Sequence, residues 1–499
     1  GKLVRLDLVT TGAGGVAGWG EPDLVRPGTL PESPPVRRDQ RAKNLLYILI
    51  DTARQDVYAP FNAETHVQAP AMEKLAAEST IFTNAYCNSN WTKPSIATIW
   101  SGLYPSTHNT KTKGAVLPRA VPVYSEHLRK QGFSTAAFIA NGYTSGKFGF
   151  KRGWGTYRNY IRQDLPYKAP HVYGDALDWL KKNKDKRFFL YIQAIDPHVP
   201  YEPPNKWREP YYAGEYKGRL GPTVTGYETQ DFNQGKKRFT EDDKRYTRAL
   251  YDAEISYHDH YFGDFLEQVA ELGLLDETLV VVSNDHGEEM LEHGKYGHGQ
   301  SLYEELIRAP LLIRYPTLFP AGKVVQEPVG LVDLLPTKLE VLGLPRMKEL
   351  EGLSLLGAVR GRPAMRPGYA VAEYLQLQRA VRLGDHKLIQ RRNGGASLFD
   401  LAADPGEQED LAPESPDVVA RMRQQYDRWF DDVTESWEVG IIHIGNPAEN
   451  PMTLCRYQDS EYQEDLPRGW RVVVERGGTY EIRIDRGSLD GAGRLGVDW

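Results

Sequence analysis

Residues 278–288 read TLVVVSNDHGE, an uninterrupted apolar run that opens onto Asn284, Asp285, His286 and Gly287. A run this short and apolar fits a strand buried on both faces, the kind that builds parallel sheets. The pattern recurs three times. Residues 45–50 (LLYILI) end at Asp51, residues 188–192 (FFLYI) precede Asp196-Pro197-His198, and residues 135–139 (TAAFI) lead to Asn141. Ligands of open α/β sheets gather in the crevice beyond the carboxyl ends of the strands. Four strand ends that each deliver a ligand-type side chain therefore predict one site, and carboxylates beside imidazoles make it a metal site.

Between residues 44 and 345 these runs alternate with helical patterns, which predicts an α/β fold with a mostly parallel sheet flanked by helices. The clearest helix covers about residues 242–272, where Tyr257, Tyr261, Phe265, Val269 and Leu272 recur at steps of three and four. Ahead of it lies YEPPNKWREPYYAGEYKGRLGPTVTGYETQ, a long Pro/Gly/Tyr-rich segment suited to walling a substrate cleft. Residues 1–43 read as a Gly/Pro/charge-rich lead-in and 44–345 as the catalytic α/β domain. Residues 346–435 read as a small α+β subdomain, with strands at 369–374, 379–383 and 386–390 and a helix near 417–430. Residues 436–499 form a β-rich tail, with a hairpin expected from 470–474 and 479–484 around Glu475-Arg476-Gly477-Gly478.

Composition narrows the function classes. Hydrophobic content of 40%, charged content of 26% and a net charge of −6 describe a soluble globular protein. The acidic balance and the lack of a basic stripe argue against nucleic acid as a partner. No apolar stretch approaches the ~18 residues of a membrane span, and the first residues lack the charged and then apolar regions of a signal peptide. Two cysteines, Cys87 and Cys455, form no disulfide framework and leave the compartment open.

The segment Asn90-Trp91-Thr92-Lys93-Pro94-Ser95 opens a helix, with Pro94 in the first turn, where its missing N–H costs nothing. Thr92 then sits beside a helix N-terminus, where free amides favour an anion. Next to a metal, such a hydroxyl can attack a phosphoryl or sulfuryl centre. Two plainer readings stand beside this one: an N-cap threonine, and the Asn90-Trp91-Thr92 glycosylation sequon.

Over roughly residues 44–411 the chain resembles the sulfatase branch of the alkaline phosphatase superfamily. The likeness rests on ILIDTARQD, NWTKPSIATIWSGLYPSTH, GFSTAAFIANGYTSGKFGFKRGW, DPHVPY, YDAEISYHDHYFGDFLEQVAELGLLDETLVVVSNDHGEE, GHGQSLYEELIRAPLLI and LFDLAADPGEQEDLA, in the family's order. The resemblance implies hydrolysis of sulfate or phosphate esters with a divalent metal. Departures from the pattern bear on the chemistry. Sulfatases convert a Cys or Ser at the head of a C/S-x-P-S-R segment to formylglycine; this chain has Thr92 there and Ile96 in place of the arginine. Where sulfatases carry two aspartates after the first strand and Asp-Asn after the later one, it has Asp51-Thr52 and Asp285-His286. A carboxylate lost and an imidazole gained shift the donor set from Ca²⁺ towards Zn²⁺ or Mn²⁺.

The expected metal ligands are therefore Asp51, Asp285 and His286, with Thr92 as both ligand and nucleophile. His198 and His298 are candidates for a general acid, a substrate-oxygen contact or a second metal. The twelve-residue step from His286 to His298 is similar to that of phosphoethanolamine transferases. Asn141, Lys113 and Lys147 are candidate anion contacts. His293 and Asp196 are weaker metal candidates, and His258 and His260 are expected to be structural. The expected activity is metal-dependent cleavage of phosphate (di)esters or phosphonate esters on a small-molecule, lipid-headgroup or glycan substrate. Its rivals are a sulfate-ester hydrolase without formylglycine, a phospho-alcohol transferase, and a non-catalytic binding protein on a degenerate sulfatase fold.

Overall fold

The computed structural model describes residues 36–361, 369–375 and 377–434, with strand backbone at 441–444 and 471–474. The principal strands are β1 (Asn44–Ile50), β2 (Thr80–Tyr86), β3 (Ser134–Ile139), β4 (Thr156–Asn159), β5 (Phe188–Ala194) and β6 (Thr278–Ser283). A small pair follows, β7 (Glu289–Met290) and β8 (Tyr296–Gly297), then β9 (Arg308–Arg314), β10 (Val324–Val325) and β11 (Val329–Gly330). Nine of these form one sheet in the order β10-β2-β9-β6-β1-β5-β3-β4, with β11 beside β2. The four strands foreseen from the apolar runs, β6, β1, β5 and β3, are consecutive neighbours and mutually parallel. Only β9 runs against its neighbours, pairing antiparallel with β2 and β6.

Side chains of the central strands alternate between two cores, as the period of two requires. Leu45, Tyr47 and Leu49 join Tyr191 and Val281 on one face; Leu46, Ile48 and Ile50 join Ile192 and Val282 on the other. Each such residue contributes about 1.5–3 kcal/mol on burial, so a one-residue register slip would invert both cores. Helices Thr92–Ser101 and Leu334–Val341 cover the first face. Helices Ala169–Asn183 and Glu241–Glu271 cover the second.

The long helix starts at Glu241 because Thr240 caps it. The Thr240 hydroxyl accepts from the Asp243 amide, and the Asp243 carboxylate accepts from the Thr240 amide. Tyr257, Phe265 and Val269 are buried along its stripe, with Tyr261 and Leu272 at the margin. The tyrosine-rich segment before it is partly ordered into helices Asn205–Arg208 and Gly226–Asn233. Three of its tyrosines, Tyr211, Tyr212 and Tyr216, bond Ser256, Asp242 and Asp243 on the long helix.

Beyond the large sheet, β12 (Tyr369–Tyr374), β13 (Gln378–Leu383), β14 (His386–Arg391) and β15 (Ala396–Asp400) form an antiparallel sheet. Helix Pro416–Thr434 packs Met422, Tyr426 and Trp429 against Val381, Leu388 and Leu398. The fourth strand of this sheet was not foreseen. In the tail, Arg471–Val474 pairs in parallel with Ile441–Ile444. The second arm of the expected hairpin, residues 479–484, lies outside the described residues, as do residues 1–35.

Candidate active site

Parallel register brings the four strand ends level: Ile50 lies beside Ala194, Leu49 beside Ser283, and Ile139 beside Gln193. Asp51, Asp285 and His286 consequently converge, with one ligand atom from each inside a 4.8 Å cluster, all three fully buried. His286 Nε2 is 3.5 Å from Asp285 Oδ2 and 4.0 Å from Asp51 Oδ1. Each carboxylate has one satisfied oxygen and one bare one. Asp51 Oδ2 accepts from Asn141 Nδ2 (2.7 Å) and Gln193 Nε2 (3.0 Å). Asp285 Oδ1 accepts from the amides of His286 (3.1 Å) and Thr52 (3.4 Å). Asp51 Oδ1 and Asp285 Oδ2 have no hydrogen-bond partner. His286 donates Nδ1–H to the Gly287 carbonyl (2.9 Å), which leaves the Nε2 lone pair facing those two oxygens. Buried acceptors left bare are costly, and two bare carboxylate oxygens beside a neutral imidazole nitrogen are the donor set a divalent cation takes.

The electrostatics agree with that geometry. Burial, and then the Asp51 charge, push Asp285 well above the usual carboxylate range. Burial raises Asp51 too, although His198, Asn141 and Gln193 pull it back. Burial and the neighbouring His298 hold His286 neutral, well below its ordinary value. Thr52 carries a φ of 58°, a left-handed conformation that a β-branched residue rarely adopts. Its carbonyl accepts from the Tyr251 hydroxyl at 2.9 Å, so strain is held at the strand end where Asp51 is presented.

Thr92 is the first residue of its helix, and Trp91, not Thr92, occupies the N-cap. The threonine hydroxyl is therefore free of a capping role. Its Oγ1 lies 3.3 Å from His286 Nε2 and 3.4 Å from Asn141 Nδ2. Asn90 is buried and donates Nδ2–H to the Ser301 carbonyl (2.6 Å), which removes it as a glycosylation acceptor. His298 packs 4.4 Å from the His286 ring and 4.9 Å from that of His198.

The architecture and site now stand beside known proteins. A family description, Sulfatase, matches residues 43–344, and N-sulphoglucosamine sulphohydrolase, C-terminal, matches residues 291–431. The chain belongs to the sulfatase family. Arylsulfatase K of Mus musculus is 28% identical over 417 residues, covering 72% of this chain and 74% of that protein. The phosphonate monoester hydrolase from Silicibacter pomeroyi superposes with a TM-score of 0.63 at 22% identity, over 77% of this chain and 94% of that one. A protein solved with its substrate D-glucosamine-2-N,6-O-disulfate gives a TM-score of 0.65 at 19% identity, over 80% and 99%. This protein is a sulfatase-family hydrolase, from a family that typically uses a divalent metal.

Other candidates in this sulfatase-family chain fall elsewhere. Asp196 accepts from the Ala169 amide (2.9 Å) and pairs with Lys168 (3.1 Å), so it shapes the turn before His198 and joins no metal-ligand group among the described residues. His293 bonds Glu305 (2.7 Å) and stacks on Tyr303, in a separate group with Glu289. The Lys113 side chain is exposed; its carbonyl accepts from Lys93 Nζ. Lys147 is exposed beside Phe148. His258 is buried against the Tyr173 hydroxyl (2.8 Å), while His260 lies against Trp207. Two functional neighbours went unforeseen. Gln193 grips Asp51, and its signal was an amide in an otherwise apolar, fully buried strand. Glu288 sits 3.1 Å from His298 Nδ1; burial alone would lower that imidazole, but Glu288, together with Asp51 and Glu289, raises it above its ordinary value.

Proposed function

We propose that this sulfatase-family hydrolase cleaves phosphate diesters or phosphonate esters through Thr92 as an unmodified nucleophile. One observation carries the reading: Thr92 Oγ1 stands within hydrogen-bond distance of His286 Nε2 (3.3 Å), beside the two bare carboxylate oxygens. Asp51, Asp285 and His286 would hold the metal, with Zn²⁺ or Mn²⁺ favoured over Ca²⁺ by the imidazole. Such an ion lowers the pKa of a hydroxyl beside it and offsets charge on non-bridging oxygens. The protein's own groups do the rest. The amides at the helix N-terminus favour the Thr92 alkoxide, and the Asn141 amide orients its oxygen. Thr92 Oγ1 bonds to phosphorus as the ester P–O bond breaks, with His298 or His198 giving a proton to the departing oxygen. Water then attacks the phospho-threonine and frees Thr92. Asn141 and Lys113 are the candidate contacts for the substrate's remaining oxygens.

The second reading is sulfate-ester hydrolysis without formylglycine, favoured by the likeness to arylsulfatase K. A neighbour's sulfated glucosamine substrate makes glycan esters natural candidates for either chemistry. Turnover of bis-p-nitrophenyl phosphate, a phenylphosphonate ester and p-nitrophenyl sulfate, with and without added metal, separates the two. Phosphodiester or phosphonate turnover that falls at least about 10³-fold in Thr92→Ala supports the proposal. A preference for the sulfate refutes the phosphorus assignment, and full activity in Thr92→Ala refutes the nucleophile.

A further inference from the structure

Beside the nucleophile stands an aromatic and cationic surface that the chemistry above leaves unused. The Tyr143 amide donates to Asn141 Oδ1 (2.8 Å), which fixes Tyr143 two residues from the side chain that touches Thr92. Its ring stacks on Phe148 and meets Trp91 edge-on at 5.6 Å. Even so held, Tyr143 is 36% exposed, one of few large apolar side chains on the described surface. Trp91, next to Thr92, is only 8% exposed, and its indole N–H has no acceptor.

Cations ring the same aromatic group. The Arg162 guanidinium lies 5.9 Å from the Phe148 ring and Lys147 Nζ lies 5.5 Å from it. Arg162 is exposed but anchored: Nε donates to the Gly142 carbonyl (3.2 Å) and its amide to Asn159 Oδ1 (3.0 Å). Asn159 in turn donates to the Asn141 carbonyl (2.8 Å), which ties the arginine's loop to the nucleophile's partner. Among the described ion pairs neither Arg162 nor Lys147 has a carboxylate partner. An anchored guanidinium without a counter-ion, beside an exposed ring, matches a ligand with a flat face and an anionic substituent.

We infer that Tyr143, Arg162 and Lys147 form a specificity subsite for an anionic ring borne by the ester substrate. The ring, a pyranose or an aryl group, stacks on Tyr143 while its carboxylate or sulfate meets Arg162, with Lys147 adding charge. The inference rests on the proposed ester hydrolysis at Thr92, and its test is arranged to fail separately. Phenyl and 4-carboxyphenyl esters of the preferred oxyacid are compared in wild type, Arg162→Gln and Tyr143→Ala. Arg162→Gln is expected to lower kcat/KM for the carboxylated ester about tenfold, the worth of a hydrogen bond to a charged group. That loss appears in KM, while the phenyl ester changes far less. Tyr143→Ala raises KM for both esters. Taking each variant against wild type cancels the intrinsic reactivity of the two phenols. Equal effects of Arg162→Gln on the two esters, or a loss confined to kcat, overturn the subsite. If wild type hydrolyses neither ester, the comparison is read as calorimetric binding of the same two compounds. A carboxylate preference abolished by Arg162→Gln then upholds the subsite and refutes only the chemistry, whereas no preference overturns the subsite itself.

Discussion

Asp285→Asn separates the charge of the candidate metal site from its shape. The amide oxygen can keep the bonds that Oδ1 accepts from the His286 and Thr52 amides. The amide nitrogen replaces Oδ2, which has no partner, and brings a donor towards the equally bare Asp51 Oδ1. The two carboxylates lie within a 4.8 Å cluster. At an effective dielectric constant near 20, two charges at that spacing repel by roughly 3 kcal/mol. Without metal the pair bears this repulsion or binds a proton instead, so the substitution should stabilise the metal-free protein by about 1–3 kcal/mol. With metal the sign reverses. An ion at a hundred times its Kd stabilises the wild type by about 2.7 kcal/mol, and a site with one carboxylate removed forfeits most of that. Thermal unfolding in EDTA, and again with Zn²⁺ or Mn²⁺, reads both effects as shifts of a few degrees. The variant should melt above wild type in EDTA and below it with metal. A variant less stable than wild type in EDTA, or one that metal stabilises as much as wild type, would falsify the assignment of these carboxylates to a metal.

Three further outcomes are expected. Gln193→Leu removes a donor from Asp51 Oδ2, so metal affinity measured by calorimetry should fall about 10–100-fold with the fold intact; unchanged affinity would dismiss Gln193 as a supporting residue. His108 accepts the Thr110 amide at Nδ1 and donates Nε2–H to Thr98, and burial, reinforced by Lys111, pushes it down to about 3. Its folded value lies below its unfolded one near 6.5. Its contribution to stability is therefore whole above about pH 6.5 and is lost as pH falls towards 3, at ~1.4 kcal/mol per unit. Urea midpoints for wild type and His108→Gln at pH 7, 6 and 5 should diverge in slope, and parallel slopes would exclude His108 as the source. Lys338 Nζ is buried without a hydrogen-bond partner between the Tyr47 and Tyr124 rings, and burial holds the amine well below its ordinary value. Lys338→Met keeps the aliphatic stem and should raise stability by about 1–3 kcal/mol; a lower melting temperature would mean that the amine does useful work there.

Local pattern carried much of this protein's architecture. The apolar runs at 45–50, 135–139, 188–192 and 278–283 are legible because a strand buried on both faces has no polar position to interrupt it. The ligand-type residue after each run is legible for the same reason: chemistry in such a sheet collects at the strands' carboxyl ends. Asp51, Asp285, His286, Asn141 and His198 were thus named from the strand ends, Thr92 from a helix start and His298 from the family resemblance, and the fold brings them together. Tertiary structure decided what depends on partners far away in sequence. That β9 runs antiparallel between β2 and β6 follows from a connection whose direction no periodicity records. Asp196 is paired with Lys168, and His293 is gathered with Glu289 and Glu305 into a second group of possible metal ligands, apart from the strand ends. Gln193 and Glu288 gained roles only through contacts with Asp51, 142 residues away, and His298, across a turn. Periodicity reports which face of an element is buried; which bare oxygen meets which donor is fixed only when the strand ends come level.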